Sequence, residues 1–354
     1  GSVYPGLGLA AADTDAALAY LRTQQNADGG FGSGFSPDSG VGSTADAVLA
    51  ILAVDGDPAT FDREGNTPLS YLEENAASTA TAGDLAKLLM AVIATGLDPH
   101  TFGGVDLVAN LEAMTGDGGL IGGEADTFVA HTLAILALKS AGRPIPAGAA
   151  ELITGAQQES GAWAWDGTSE TAGDTNTTAF AVQALIAAGE AANSSAVRKA
   201  LDYYASIRNE DGGWPYQNPS DFGTDTDSNS TAVTMQALIA AGQDPMGVDW
   251  ATAEGITPLE TLTSFQNESG AFAWQAAVPD DNLLSTVQAL PALAGKAFPF
   301  GSTEVGSAAP VPVPVVEAPA TVPETGAAVM NVTPFLVLAG TALVGAGLAL
   351  GRRK

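Results

Sequence analysis

Hydrophobic residues fall into two alternating kinds of helix-length segment over residues 1–300. Segments such as Ala16–Gln25 and Val197–Arg208 are amphipathic, with charge along one face. Each is followed by a segment apolar on almost every side: Thr44–Val54, Leu85–Thr95, Phe128–Leu138, Thr178–Ala188, Thr231–Ala241 and Leu283–Ala294. A helix that is apolar all round is a buried helix. Many of these segments stop at Gly or Asp-Pro, which cannot continue a helix. The pairs recur at roughly 40–55 residues, a spacing typical of helical-pair repeats. The pattern predicts an all-α fold of six helical hairpins, with buried second helices wrapped by amphipathic first ones. An open stack is the structural alternative, and it would need polar caps on its end repeats.

A shared turn joins the two helices of a pair. Gln25, Gly29 and Phe31 recur as Gln157, Gly161 and Trp163, as Arg208, Gly212 and Trp214, and as Gln266, Gly270 and Phe272. Met114, Gly118 and Leu120 are a weaker copy, and the unit at Leu69–Pro99 keeps two helices but not the turn. This repeated Gln–aromatic motif resembles that of the terpenoid cyclase/prenyltransferase family. The resemblance covers residues 12–300 and implies a closed (α/α)6 toroid. It also implies a structural role for the motif, the Gln and the aromatic tying one outer helix to its neighbour.

Charge and composition narrow the chemistry. Forty acidic residues against twelve basic ones give a net charge of −28, which repels phosphate backbones and excludes nucleic acid as a partner. There is no Cys, so thiolate metal sites and thiol nucleophiles are absent. His100 and His131 are too few for zinc, and neither lies in a nucleophile motif. No metal or cofactor is therefore expected. His131, inside an apolar segment, reads as a satisfied core histidine. The zinc-dependent protein prenyltransferases of the resembled family hold their metal with Asp, Cys and His, a set this chain lacks.

The functional residues of such toroids cluster where inner helices begin. Asp126, Asn176, Asn229 and Asp281 all fall two positions ahead of the apolar segments and read as N-caps. Asp174, Asp225, Asp227 and Asp280 are then left over, and could form an acidic group at the ring's mouth. Close carboxylates raise one another's pKa and could supply a protonated acid or hold a hard cation. The plain reading is a solvated loop. Class II terpene cyclases use an Asp-any-Asp-Asp acid. Here Asp225, Thr226 and Asp227 match it and Ser228 does not. Trp165, Tyr216 and Trp274 follow the turns and are candidates for an apolar ligand-binding rim, while the inner helices themselves carry few aromatics, chiefly Phe128 and Phe180. Gln183, Gln236 and Gln288 recur in one local pattern and read as inter-helix hydrogen bonders.

Composition changes after Phe300. A Pro-rich linker (301–326) ends in Val322, Pro323, Glu324, Thr325 and Gly326. Residues 327–354 then hold an uncharged apolar run, Val332–Leu350, and the basic end Arg352, Arg353 and Lys354. The run is long enough to be a transmembrane helix, and the basic end should stay cytoplasmic. Motif, apolar run and basic end together resemble a sortase cell-wall sorting signal, with Val322 where that family has Leu. The resemblance implies cleavage after Thr325 and display on the cell wall or membrane. Export requires a leader, expected to have been removed ahead of Gly1.

These observations favour a surface-anchored, non-catalytic module that binds a small molecule or surface ligand. The alternative is a class II cyclase or isomerase acting on a prenyl substrate. That enzyme needs an open cavity with Asp225 and Asp227 facing it; a filled ring axis would exclude it. A glycan-cleaving pair of carboxylates is a third reading.

Overall fold

The structure is a computed structural model and describes residues 12–300. The linker, the sorting motif and the apolar run at 327–354 lie outside the described residues. No described helix is long and apolar enough to cross a membrane.

Among the described residues, twelve α-helices alternate between two rings. The inner ring is α2 (Val41–Ala53), α4 (Ala82–Ala94), α6 (Phe128–Ser140), α8 (Thr175–Ala187), α10 (Ser228–Ala240) and α12 (Leu283–Leu293). The outer helices are α1 (Thr14–Gln24), α3 (Pro68–Asn75), α5 (Leu107–Glu112), α7 (Ala149–Gly155), α9 (Ser195–Ile207) and α11 (Pro258–Ser264). Each inner helix packs on the next, and α12 packs on α2, so the ring closes. The described residues thus form the toroid rather than the open stack. Ala lines most inner contacts, with Ala45, Ala86, Ala134, Ala181, Ala237 and Ala289 all fully buried. Small side chains let parallel helices approach closely while favouring the helical state.

The turn motif is the clasp between neighbouring repeats. Gln25 Nε2 donates to the Gly29 carbonyl within its own turn and to Phe61 of the next repeat. Gln157 does the same to Gly161 and Ala196, and Arg208 reaches Trp250. Gln266 closes the circle, donating to Gly270 and Asp13 and accepting from the Asp13 amide. Gly270 must be glycine on two counts: its φ is +90°, and a Cβ there would land on the Ala16 backbone. Phe31, Trp163, Trp214 and Phe272 are fully buried.

A threonine one turn into the inner helix locks each motif. Thr44, Thr178, Thr231 and Thr286 each accept the backbone N–H of their turn aromatic. His131 takes this position in the third repeat: its Nδ1 accepts from Ile121 and its Nε2 donates to Ala149. Burial lowers its pKa, so it is a neutral, fully bonded core histidine, as the sequence suggests. In the second repeat the position is Leu85, and the Gly–aromatic turn is absent with it.

The chain after α12 crosses the ring at the C-terminal ends of the inner helices. Gln236 Nε2 donates to the Lys296 carbonyl, and the Phe298 amide donates to Gln183 Oε1. Phe298 and Phe300 stack, with centroids 5.3 Å apart, against the helical core. Gln183 and Gln236 therefore hold the closing segment rather than a neighbouring helix. Gln288 lies in another register and faces the opposite end.

Candidate functional site

The N-termini of the inner helices converge on an open mouth. Their second residues and those one turn later face the axis, because positions four apart share a helix face. The upper layer includes Gly42, Val129, Asn176, Asn229 and Leu284; the lower includes Asp46, Lys87, Leu133, Phe180 and Gln288. Between them lies a cavity of about 610 Å³, within the ordinary range of small-molecule sites. The loop from Gly32 to Gly40 contributes one side of the mouth, with Gly34 packed against Leu284.

The expected acidic cluster is divided. Asp174 and Asp227 line the cavity and are 1% and 2% exposed. Asp225 is exposed, in a side chamber of about 220 Å³ that shares Trp165, Tyr216, Asp227 and Trp274 with the cavity. Asp280 is an exposed loop residue.

The expected caps also change places. Asp174 caps α8 and Asp227 caps α10, so the residues set aside as left over are the true N-caps. Asn176 and Asn229 lie inside the first turn and face the axis. Asn229 Nδ2 donates to Gln288 at 2.6 Å and its Oδ1 accepts from Ser285, while Asn176 Oδ1 is buried with no partner. Asn282 caps α12 in place of Asp281, which instead accepts from Asn267 and Ser269. Asp126 caps a neighbour: its carboxylate accepts the first two amides of α4, Ala82 and Gly83.

Asp174 Oδ1 accepts from the Thr177 amide at 2.7 Å and Oδ2 from its hydroxyl at 2.8 Å. Asp227 repeats this with Ser230, at 2.6 and 2.9 Å. Neither carboxylate has a basic partner. Burial outweighs these neutral donors and lifts Asp174 to about 6 and Asp227 to about 7. Aromatic residues of the following repeat are pinned beside each acid. Thr175 donates its amide to the Tyr216 carbonyl, and Ser228 donates its amide to that of Trp274. The Tyr216 hydroxyl faces Asp174, and the Tyr216 amide faces Asp227. Trp165, Tyr216 and Trp274 thus come together at the mouth and form an aromatic wall that the inner helices lack.

On the opposite wall Lys87 Nζ meets Asp46 Oδ2 at 2.7 Å. Both side chains face the cavity and are about three-tenths exposed to it, at 28% and 29%. Burial raises the Asp46 pKa against the pull of Lys87. It works the other way on Lys87, but Asp46 more than offsets it and the ammonium stays charged. Gly42 leaves room here, since a Cβ would strike the Asp84 carboxylate. Sequence reasoning passes over this pair, although a lone Lys inside an otherwise apolar inner helix is a signal for it. His100 pairs with Asp106 outside the cavity. Among the described residues no group of three or more His, Asp or Glu is placed to hold a metal.

Comparison with known proteins supports the toroid family. The squalene-hopene cyclase C-terminal domain model matches residues 113–278, and the prenyltransferase alpha-alpha toroid domain model matches residues 7–79. No curated protein matches the sequence. Among solved structures, a protein from Actinoplanes is 15% identical, with a TM-score of 0.56, over 79% of this chain and 97% of its own. The type II terpene cyclase MstE from Scytonema is 14% identical, with a TM-score of 0.55, over 79% and 96%. A variant of MstE in complex with its substrate, geranylgeranyl dihydroxybenzoate, is 13% identical at a TM-score of 0.54, over 79% and 95%. At these identities the likeness is one of fold.

Proposed function

We propose that the cavity is the reaction chamber of an acid-initiated cyclase or isomerase acting on a prenyl chain, with Asp227 as the acid. One observation carries this reading: a fully buried carboxyl, lifted to about 7 and without a basic partner, opens onto the cavity beside Tyr216 and Trp274. An acid with a pKa near the working pH combines a populated protonated form with a useful driving force for transfer. The Ser230 hydroxyl can rotate from donor to acceptor, so its bond does not hold Asp227 ionised.

In the proposed reaction Asp227 gives its proton to one carbon of a terminal alkene, leaving a carbocation on the other. A second double bond attacks that centre, forming a carbon–carbon bond and moving the charge along the chain. Loss of a proton from the last cation restores an alkene, and a proton from water reloads Asp227. The faces of Trp165, Tyr216 and Trp274 are suited to stabilise the positive charge. Asp225, in the side chamber, borders the route by which water reaches Asp227. The neighbour MstE supports trying a geranylgeranyl-bearing substrate first.

The test incubates the purified protein with prenyl substrates, analyses products by mass spectrometry, and repeats this with Asp227→Asn. Conversion reduced at least about a hundredfold by the substitution, with the fold intact by circular dichroism, is expected for loss of a general acid. No conversion of any substrate, or full activity in the variant, would sink the proposal.

A second reading is the non-catalytic binding module. It is favoured by the role of Asp174 and Asp227 as helix caps with both oxygens engaged. Ligand recovered unchanged, with Asp227→Asn binding as well as the parent, would select it. In either case we propose display outside the cell through the C-terminal signal. Attachment of the protein to the cell surface that is unaffected by Thr325→Ala and by removal of residues 327–354 would overturn that.

A further inference from the structure

The excess charge lining the cavity is of one sign. Among the described residues Lys87 is the only basic side chain lining it, and its ammonium is engaged by Asp46 at 2.7 Å. Five carboxyls line the same space: Asp38, Asp46, Asp84, Asp174 and Asp227. The nearby amide nitrogen of Asn229 is already committed to Gln288. The rim supplies aromatic faces, which attract cations. No unpaired cation remains on the described wall to receive a phosphate.

We propose that this chamber selects the charge of its ligand: it takes an apolar chain bearing a cationic head, and it excludes a diphosphate. The ligand's cationic head lies between the acid wall and the rings of Trp165, Tyr216 and Trp274. Anionic heads meet like charge on both walls. For the reaction above, this means a substrate without a diphosphate, and a positive charge on the chain as the state the walls complement best. The inference rests on the reading of the cavity as the ligand site, but not on Asp227 acting as an acid.

The experiment uses three probes that share one chain: geranylamine, geraniol and geranyl diphosphate. Saturable binding to the full protein is followed by tryptophan fluorescence and by calorimetry at low salt and neutral pH. The expected order is amine tightest, alcohol at least tenfold weaker, and diphosphate at least tenfold weaker again. Trp274→Leu keeps an apolar side chain there but removes the ring, and should cut the amine-to-alcohol preference severalfold. Lys87→Gln should leave diphosphate binding essentially as weak as in the parent. Diphosphate binding as tight as the alcohol, or diphosphate binding that Lys87→Gln abolishes, would overturn the proposal while leaving the ligand site standing. Saturable binding of none of the three would overturn both. Binding in the expected order without any turnover would leave this inference intact and remove the acid chemistry alone.

Discussion

The two walls of the cavity bury carboxylates in opposite ways. On repeats one and two Asp46 is matched by Lys87, and the pair keeps its charges inside the ring. On repeats four and five Asp174 and Asp227 are held only by neutral donors, chiefly the amides and hydroxyls of Thr177 and Ser230, with Tyr216 beside both. Burial is common to both walls; the partner differs. An ion pair resists a change of protonation, whereas a carboxyl held by neutral donors settles near neutrality and can exchange its proton. Helix capping and proton chemistry are therefore compatible in one side chain, provided no cation joins it.

The strongest way to break this contrast is Asp227→Asn. Asn remains a good N-cap, so the substitution removes the charge and little else. The carboxyl rises from 3.8 to about 7 on folding. The folded protein then holds a proton that the unfolded chain has released, and stability falls as pH climbs through that window. The variant should unfold like the parent at pH 4 and be more stable at pH 8, by roughly 4 kcal/mol at most. Urea unfolding at both pH values measures this, and a pH-independent difference would contradict the near-neutral acid. Asp174→Asn should behave alike on a smaller scale, by about 3 kcal/mol at most, as that carboxyl rises only to about 6. Lys87→Met strands Asp46 and should cost about 2 kcal/mol at neutral pH, recovering at low pH as Asp46 protonates. A loss that did not shrink on acidification would remove the distinction between the walls. Asp225→Asn, on an exposed loop, should change stability by less than about 0.5 kcal/mol at any pH.

The sequence makes the ring legible and the mouth less so. Six apolar segments and the Gln–aromatic turns predict the closed double ring, because both signals arise from buried contacts repeated in every unit. The start of the inner helices is harder to read. Four of them begin one turn earlier than their apolar pattern, at Val41, Ala82, Thr175 and Ser228. In α8 and α10 that first turn, Thr175-Asn176-Thr177 and Ser228-Asn229-Ser230, is polar because it faces the mouth, so it resembles a loop. Reading it so moves the caps to Asn176 and Asn229 and leaves Asp174 and Asp227 looking spare. The acids most worth naming are found either way, but their grouping with Asp225 and Asp280 fails, because nearness in sequence spans an exposed loop rather than one wall. The partnership of Lys87 with Asp46 joins residues on separate helices and has no local trace beyond a charge in an apolar helix.

The segment pinned by Gln183 and Gln236 gives the toroid a handle as well as a floor. Phe300 stands at the base of the cup, behind the closed end of the inner helices, while the cavity opens at the other. Whatever follows Phe300 is thus joined on the side away from the opening. A spacer can vary in length or composition without altering access to the chamber, and a molecule arriving from the far side meets the aromatic rim first.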